Sequence, residues 1–216
     1  MSGPESADWT VLVLLGPSST GKSTAAREIG RHLGIPWLQV DDLRIAMQFS
    51  NAKLPNHNDA LYWFLNNPDH MTLPIDRVLN AFIGTASALA PAVRIVIDSH
   101  MVTNEPVIIE GDGILPALCR DPVLLPHLES GSVRWCGIRP KSTDRIAGNL
   151  IRRGRGVGYA SRAGLRHHAE AVAAFGVWVD HQCAQLGIPV ESSAPEGTLV
   201  ERILLAMDVD PTPATP

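Results

Sequence analysis

The sequence predicts an α/β fold in which a parallel sheet lies between two layers of helices. Short apolar segments of strand length alternate along the chain with segments of helical periodicity, a pattern typical of parallel sheets covered on both faces. The first such segment, residues 10–15, leads into a glycine-rich turn and then into a helical repeat. The chain has 216 residues, which suits one domain with a full core. We therefore expect a single domain over residues 1–216, built as a three-layer αβα sandwich.

The glycine-rich turn matches the phosphate-binding loop pattern G-x-x-x-x-G-K-S, which reads GPSSTGKS at residues 16–23. The preceding strand and the following helix are the context that confirms this motif. Backbone N–H groups in such a loop point at phosphate oxygens. The predicted nucleotide contacts are Gly16, Ser18, Ser19, Thr20, Gly21, Lys22, Ser23 and Thr24. Lys22 is also expected to take part in catalysis, and Ser23 to hold Mg²⁺. A turn without a ligand is the alternative.

The other elements follow from apolar runs and their boundaries. Gly34 and Gly187 are expected to end helices, because glycine takes the left-handed cap conformation at little cost. Residues 92–102 are ambiguous between a helix opened by Pro91 and a strand over residues 93–98, and we favour the helix. The remaining predictions are strands over residues 35–40, 106–110, 132–138 and 188–191, helices over 75–89, 165–186 and 198–207, a helix starting at Ser142 or Thr143, irregular structure over 43–73, and a frayed tail over 208–216.

Asp41 and Asp42 come where the predicted second strand meets its loop, at the edge where α/β sheets bind ligands. Asp41 is predicted to be the catalytic base that accepts the proton of a substrate hydroxyl, with helix capping as the alternative. Asp42 is assigned to the substrate site, although capping is its stronger interpretation. Arg44 is predicted to bind an anionic group of the substrate, and a solvated side chain is the alternative. Residues 43–73 are the expected acceptor-binding region.

Glu110 ends the predicted third strand, and Asp112 follows two residues later. A carboxylate at this edge can hold a Mg²⁺-bound water or a substrate hydroxyl. Glu110 is therefore predicted at the metal and substrate sites, and Asp112 at the substrate site. A Gly-Asp-Gly turn over residues 111–113 explains the same residues without a ligand. Asp98 becomes the metal acid only if residues 93–98 form a strand.

Arg152, Arg153 and Arg155 lie among glycines in the segment 150–160. Guanidinium groups on a glycine-hinged segment suit a lid that closes on ATP and stabilises charge on the transferring phosphoryl group. Arg152 and Arg155 are predicted to act in catalysis and Arg153 to bind the nucleotide. A solvated basic turn is the alternative.

Three further features are open to two interpretations. The aromatic residues Tyr62, Trp63 and Phe64 either line a substrate pocket or fill the core. The loop over residues 192–195 follows the last strand, where it can flank a purine. His168 is favoured as a structural histidine over a metal ligand, because the sequence shows no paired ligand spacing.

Composition restricts the partners and the compartment. The formal net charge of −4 argues against a nucleic-acid partner, which usually requires a basic face. The three cysteines, at positions 119, 136 and 183, have no metal spacing and are interpreted as reduced thiols of a cytoplasmic protein. No secretion signal is visible, and no unbroken apolar run of about 18 residues predicts a membrane span. A monomer or a homodimer is expected.

Together these segments resemble the small P-loop kinases that phosphorylate metabolites and antibiotics. The shared segments are GPSSTGKST at residues 16–24, DDLR at 41–44, VIIEG followed by ILP within 107–116, RRGRG at 152–156 and GIPV at 187–190. The stretch VIIEGDGILP and the GIPV ending are most similar to the 2-phosphoglycerate kinase-like group. The placement of DDLR is similar to chloramphenicol phosphotransferase and the zeta-toxin kinases. The resemblance implies a P-loop NTPase core of five parallel strands, ATP with Mg²⁺, Asp41 as the base and an arginine lid.

The leading functional prediction is a kinase that moves the γ-phosphoryl group of ATP to a hydroxyl of a small molecule, either a metabolite or a natural product. The alternative is a nucleotide-binding ATPase or switch that acts on a protein partner. A switch needs a residue that positions water, and no glutamine is clearly placed for that role. A polynucleotide 5′-kinase is disfavoured by the acidic net charge.

Overall fold

The computed structural model describes residues 9–51, 53–54, 56–153 and 161–210 of the chain. Its strands and α-helices, in chain order, are β1 (Val11–Leu15), α1 (Lys22–Leu33), β2 (Trp37–Gln39), α2 (Val40–Phe49), α3 (Asn58–Asn66), α4 (Ile75–Thr103), β3 (Val107–Gly111), α5 (Leu125–Glu129), β4 (Val133–Arg139), α6 (Thr143–Arg153), α7 (Arg162–Leu186), β5 (Val190–Ser192) and α8 (Leu199–Ala206). Short 3₁₀ turns lie at His70–Thr72, Pro116–Arg120 and Glu196–Thr198. This alternation of strands and helices confirms the predicted α/β class.

The five strands form one parallel sheet in the order β2-β3-β1-β4-β5. β1 pairs with β3 on one side and with β4 on the other, so the strand order reverses at β1. In open α/β sheets, ligands bind beyond the carboxyl ends of the strands at this point of reversal. The phosphate-loop motif follows β1 directly and therefore lies at the expected binding edge.

Both faces of the sheet are buried, which accounts for the unbroken apolar sequence of β1. Val11, Val13 and Leu15 belong to a core shared with α4 and α7. Leu12 and Leu14 belong to the opposite core, shared with α1 and α8. Alternate side chains of one strand thus join the two helix layers to the sheet.

The structure corrects several predicted boundaries. Residues 75–103 form one helix with Pro91 inside it, so Pro91 does not open a helix. Leu89, Val93 and Ile97 recur every four residues across the proline and are all buried, and this burial compensates for the hydrogen bond that proline cannot donate. The region 43–73 is largely helical, because α2 and α3 lie in it. β2 is only three residues long, since the chain turns directly into α2.

Three predicted helix caps are confirmed. Gly34 and Gly187 adopt φ angles of 70° and 72° at the ends of α1 and α7. The Ser142 hydroxyl accepts a hydrogen bond from the backbone N–H of Arg145 at the start of α6.

α4 is long and apolar enough to cross a membrane by length and composition, with a mean hydropathy of 1.4 over its 18-residue window. The sequence has no unbroken apolar run of about 18 residues in this segment, because polar residues interrupt it. The helix packs against α3, α7 and β1. Its buried residues Ala88, Leu89, Val93 and Ile97 belong to the core cluster on this face of the sheet, which is sufficient reason for their apolar character.

Candidate active site

The loop over residues 16–21 needs its two glycines for steric reasons. Gly16 has a φ of 136°, and a Cβ atom there would lie 2.3 Å from the carbonyl oxygen of Ile138. Gly21 has a φ of 95° at the start of α1. Ser19 also takes a left-handed conformation, with a φ of 67°, and its buried hydroxyl has no hydrogen-bond partner among the described residues. The strained backbone and this unpaired polar atom suit a loop that surrounds a polar ligand.

Lys22 is buried inside this loop, with 5% of its surface exposed. Its ammonium donates a hydrogen bond of 2.7 Å to the carbonyl of Pro17. The Thr20 hydroxyl donates to the same carbonyl at 3.0 Å. The loop thus holds a positive charge at a fixed place beside its backbone N–H groups.

Acidic side chains from two other elements meet the loop. Ser18, Ser19, Gly21, Lys22, Ser23, Asp41, Glu110 and Asp112 line one small pocket. The Ser18 hydroxyl donates a hydrogen bond of 2.8 Å to Asp112. Burial raises the pKa of the Glu110 carboxyl above its ordinary value, against the lowering effects of Lys22 and of a hydrogen bond with Ser23. The negative charges of Asp41 and Asp112 raise this pKa further. These groups are therefore close enough to act on one reacting centre.

Asp41 and Asp42 do not occupy a strand-to-loop junction. They lie in the first turn of α2, whose N-cap residue is Gln39, so neither of them caps the helix. Asp41 accepts hydrogen bonds from Arg44 at 3.1 and 3.4 Å, and Arg44 also donates to Gln48 at 3.4 Å. Asp42 is exposed and contributes to none of the pockets described here.

Gly111 and Gly113 allow α2 to approach β3. Neither residue has a positive φ, so the backbone conformation alone does not require glycine at either position. A Cβ atom on Gly111 would lie 2.8 Å from the Cβ of Val40, and one on Gly113 would lie 2.7 Å from Leu89 and 3.2 Å from Val40. Val40, the buried first residue of α2, therefore packs directly against the backbone of Gly111 and Gly113, and this close packing brings Asp41 near Glu110.

A larger pocket, of about 540 Å³, lies between α1, α6 and the loop after β5; we call it the α6 pocket. Thr20, Gly21, Thr24, Ala25, Glu28, Arg145, Asn149, Arg152, Ser193, Glu196, Gly197, Leu199 and Val200 line it. The Asn149 amide donates a hydrogen bond of 2.7 Å to the carbonyl of Ser19, which ties α6 to the phosphate loop. Sequence reasoning missed Arg145 and Asn149. Their spacing with Arg152, at i, i+4 and i+7 of one helix face, was the available signal.

The predicted lid is described only in part. Arg152 is exposed at the α6 pocket and bonds to the side chain of Asn149. The side chain of Arg153, together with Arg155 and the rest of 154–160, lies outside the described residues. The same holds for residues 211–216 of the predicted tail.

Asp41, Glu110 and Asp112 form what we call the acidic cluster. A third pocket, of about 140 Å³, adjoins this cluster through Asp112; we call it the aromatic pocket. Arg44, Phe64, Phe82, Thr85, Ala86, Asp112, Gly113 and His168 line it. Of the three aromatic residues predicted for this role, only Phe64 takes part. Tyr62 instead hydrogen-bonds the backbone of α2, and Trp63 lines a separate groove. Sequence reasoning missed Phe82 and Thr85, because they look like ordinary core positions of α4.

The donor atoms of the acidic cluster fit Mg²⁺. Magnesium ions that act with phosphates usually take one or two carboxylates and hydroxyl or water oxygens. Ser23 and Glu110, predicted as the metal ligands, line the same small pocket. Among the described residues, no group of three or more His, Cys, Asp or Glu side chains is arranged to hold a metal by itself. One carboxylate and one hydroxyl suit a cation that phosphate oxygens also bind.

Comparisons with known proteins agree with this geometry. A family model described as chloramphenicol phosphotransferase-like protein matches residues 10–185. The 2-phosphoglycerate kinase of Methanocaldococcus jannaschii is 31% identical over 119 residues, which cover 53% of this chain and 37% of that protein. The chain thus spans little more than a third of that relative.

Two solved structures share the fold at low sequence identity. A sugar kinase from Janibacter sp. HTCC2649 is 19% identical, with a TM-score of 0.51 over 96% of this chain and 99% of that one. Shikimate kinase from Acinetobacter baumannii is 11% identical, with a TM-score of 0.50 over 93% and 92%.

Proposed function

Because this chain belongs to the chloramphenicol phosphotransferase-like family, we propose that it is a kinase that transfers the γ-phosphoryl group of ATP to a hydroxyl of a small molecule. The resemblance to small P-loop kinases that the sequence predicted is confirmed by the family match. One observation carries the finer proposal: Lys22, Asp41 and Glu110 meet at a pocket that shares Asp112 with the aromatic pocket. A phosphate site and a separate cavity for an acceptor thus lie side by side.

Each group has a role that its position supports. The backbone and Lys22 bind the β- and γ-phosphates, and the α6 pocket takes the rest of the nucleotide. Ser23 and Glu110 would hold Mg²⁺, which would neutralise charge on the phosphate oxygens. Asp41 accepts the proton of the acceptor hydroxyl, and Arg44 fixes its carboxylate. Arg152 approaches the nucleotide from α6, and in this proposal Arg153 and Arg155 act with it.

The acceptor occupies the aromatic pocket in this proposal. Chloramphenicol and 2-phosphoglycerate, which the names of the related proteins suggest, are both hydroxyl compounds.

The three cysteines are free and buried thiols, which supports a reducing compartment such as the cytoplasm.

The test combines two substitutions with a neighbouring control. Asp41→Asn keeps the size and the hydrogen bond to Arg44 but cannot take a proton. We expect kcat to fall by about 10²- to 10⁴-fold with little change in ATP affinity. Lys22→Ala should lower turnover by at least about 10²-fold in a protein that remains folded by circular dichroism. Asp42→Asn, one residue away and exposed, should behave as wild type.

ADP release is measured against a panel of hydroxyl compounds for all four proteins. A lower melting temperature with unchanged kcat in Asp41→Asn would assign Asp41 a structural role. ATP hydrolysis that no acceptor accelerates would favour the alternative, an ATPase or switch.

A further inference from the structure

His168 lines the aromatic pocket, and one of its ring nitrogens lacks a hydrogen-bond partner within the described part of the chain. The Nδ1 atom of its ring is buried and has no hydrogen-bond partner among the described residues. Most buried polar atoms in proteins are paired, because an unpaired one loses its hydrogen bonds to water without replacement. A half-turn of the ring exchanges each nitrogen with a carbon, so the imidazole can present either nitrogen to a ligand.

The ring is also held uncharged. Burial lowers the pKa of His168 to about 4, with smaller contributions from His70 and His167. An imidazole with this pKa is neutral near pH 7 and can both donate and accept a hydrogen bond. It offers no positive charge to an anionic ligand.

The surrounding side chains favour an uncharged ligand with a flat apolar body. Phe64 and Phe82 lie with their ring centroids 5.0 Å apart, and the ring of Phe82 is 6.0 Å from that of His168. Among the described lining residues, Arg44 is the cation and Asp112 the anion, so their charges balance. Arg44 is further neutralised by its ion pair with Asp41 at 3.1 Å. A phosphorylated acid, with two or three negative charges, would meet no free cation among these groups.

We propose that His168 is the specificity-determining residue of the aromatic pocket, where its imidazole hydrogen-bonds a polar group of an uncharged, ring-bearing alcohol. The inference rests on the proposed function, since it assigns the aromatic pocket to the acceptor. The ring of the ligand packs against Phe64 and Phe82, one hydroxyl faces Asp41, and a second polar group pairs with His168.

The test measures ligand binding separately from catalysis. The wild-type protein, saturated with Mg²⁺ and a non-hydrolysable ATP analogue, is titrated with 1-phenyl-1,2-ethanediol, 2-phenylethanol and 2-phosphoglycerate, and each Kd is measured by NMR. The variant His168→Phe keeps the ring but loses the hydrogen bond, and His168→Gln keeps a donor and an acceptor. His181→Phe, an exposed position on the same helix, is the matched control.

We expect the diol to bind the wild type, His168→Gln and the control with similar Kd. In His168→Phe the Kd should rise roughly 3- to 10-fold, the contribution of one hydrogen bond. The second hydroxyl of the diol should improve binding over 2-phenylethanol in the wild type but not in His168→Phe. This non-additivity is what distinguishes a direct contact from a structural effect.

Equal binding of the diol to His168→Phe and wild type would overturn the proposal. Binding of 2-phosphoglycerate in preference to the diol, or no binding of the diol, would overturn it as well. ADP release is then measured with the same compounds and ATP. Diol binding that depends on His168 without any phosphoryl transfer would contradict the kinase role of the pocket and leave the recognition by His168 intact.

Discussion

At the scale of single residues, the site is built around a carboxylate whose burial disfavours its charged form. Glu110 is the last but one residue of a central strand and only 3% exposed. Burial raises its pKa, because a buried carboxylate loses its hydration. Lys22 and Ser23 compensate only in part, and Asp41 and Asp112 add repulsion. Ionisation of Glu110 is thus disfavoured in the folded domain, and a divalent cation beside it would favour the ionised form.

Replacing this carboxylate should raise the stability of the fold and weaken the binding of Mg²⁺. A group whose pKa is raised in the folded state stabilises the fold below its unfolded pKa and loses that contribution as the pH rises through the folded value. At pH 7 we therefore expect Glu110→Gln to melt at a higher temperature than wild type, with the difference shrinking towards pH 4. The Mg²⁺ concentration for half-maximal activity should rise about 10- to 100-fold.

Thermal melts at several pH values and a Mg²⁺ titration of activity check both expectations. A lower melting temperature at pH 7, combined with an unchanged Mg²⁺ requirement, would show that Glu110 has a purely structural role.

At the scale of elements, the position of α2 decides the catalytic geometry. β2 ends at Gln39 and α2 begins at Val40, so no loop separates them. Val40 is fully buried against the bare backbone of Gly111. The first turn of α2 therefore places Asp41 beside the phosphate loop. A strand, a helix and a glycine on a neighbouring strand act together to position one carboxylate.

Adding a single methyl group to β3 should disturb this arrangement. In Gly111→Ala the new Cβ would lie 2.8 Å from the Cβ of Val40, so the start of α2 must move. We expect kcat to fall by about 10²-fold, the scale of a misplacement of about 1 Å. ATP affinity, measured by calorimetry, should change less than about twofold, because α2 does not line the α6 pocket.

Gly148→Ala is the control, since nothing lies within 4 Å of a Cβ atom at that position of α6. Full activity in Gly111→Ala, with the control also active, would show that the packing of Val40 does not set the position of Asp41.

At the scale of the whole molecule, an aromatic cluster joins the helices that flank the aromatic pocket. Phe82 on α4 stacks on Phe175 of α7 with a centroid distance of 5.4 Å, and it also contacts Phe64 of α3. His168 lies in the same cluster, 5.4 Å from His70. Three helices separated in sequence therefore share one apolar contact around a neutral histidine. Protonation of that histidine would weaken the packing of all three.

This coupling predicts a pH dependence of folding. The pKa of His168 is about 4 in the folded protein and about 6.5 in an unfolded chain. A lowered histidine pKa gives stability that is present above the unfolded value and is lost as the pH falls through it towards the folded value. The free energy of unfolding should thus fall by about 3 kcal/mol more in wild type than in His168→Gln between pH 6.5 and pH 4.

Urea titrations followed by tryptophan fluorescence measure this difference. The comparison of two proteins cancels the opposite contribution of Glu110, which is present in both. Parallel pH profiles would mean that His168 is protonated without cost in the folded state.

The sequence by itself determined the features that depend on residues adjacent along the chain. The phosphate loop lies where its motif predicts, because the positive φ angles of Gly16 and Gly21 are a local property that glycine accepts at little cost. The α/β class and the caps at Gly34 and Gly187 follow from periodicity and from glycine at the helix end. The prediction that Pro91 opens a helix is wrong, because a feature distant from the local sequence decides this position. Proline by itself favours the first position of a helix, but burial of the continuous apolar face of α4 stabilises the fold by more than this local preference.

Only the tertiary structure decided which distant side chains share a cavity. Arg44, Asp112 and His168 meet in the aromatic pocket although more than fifty residues separate each from the next. No local pattern records this proximity, since it results from strand order and from the packing of α7 on α4. Asn149 likewise reaches the phosphate loop only because α6 packs beside it. Periodicity shows which face of a helix is apolar, whereas the fold determines what that face, and the polar face opposite, will contact.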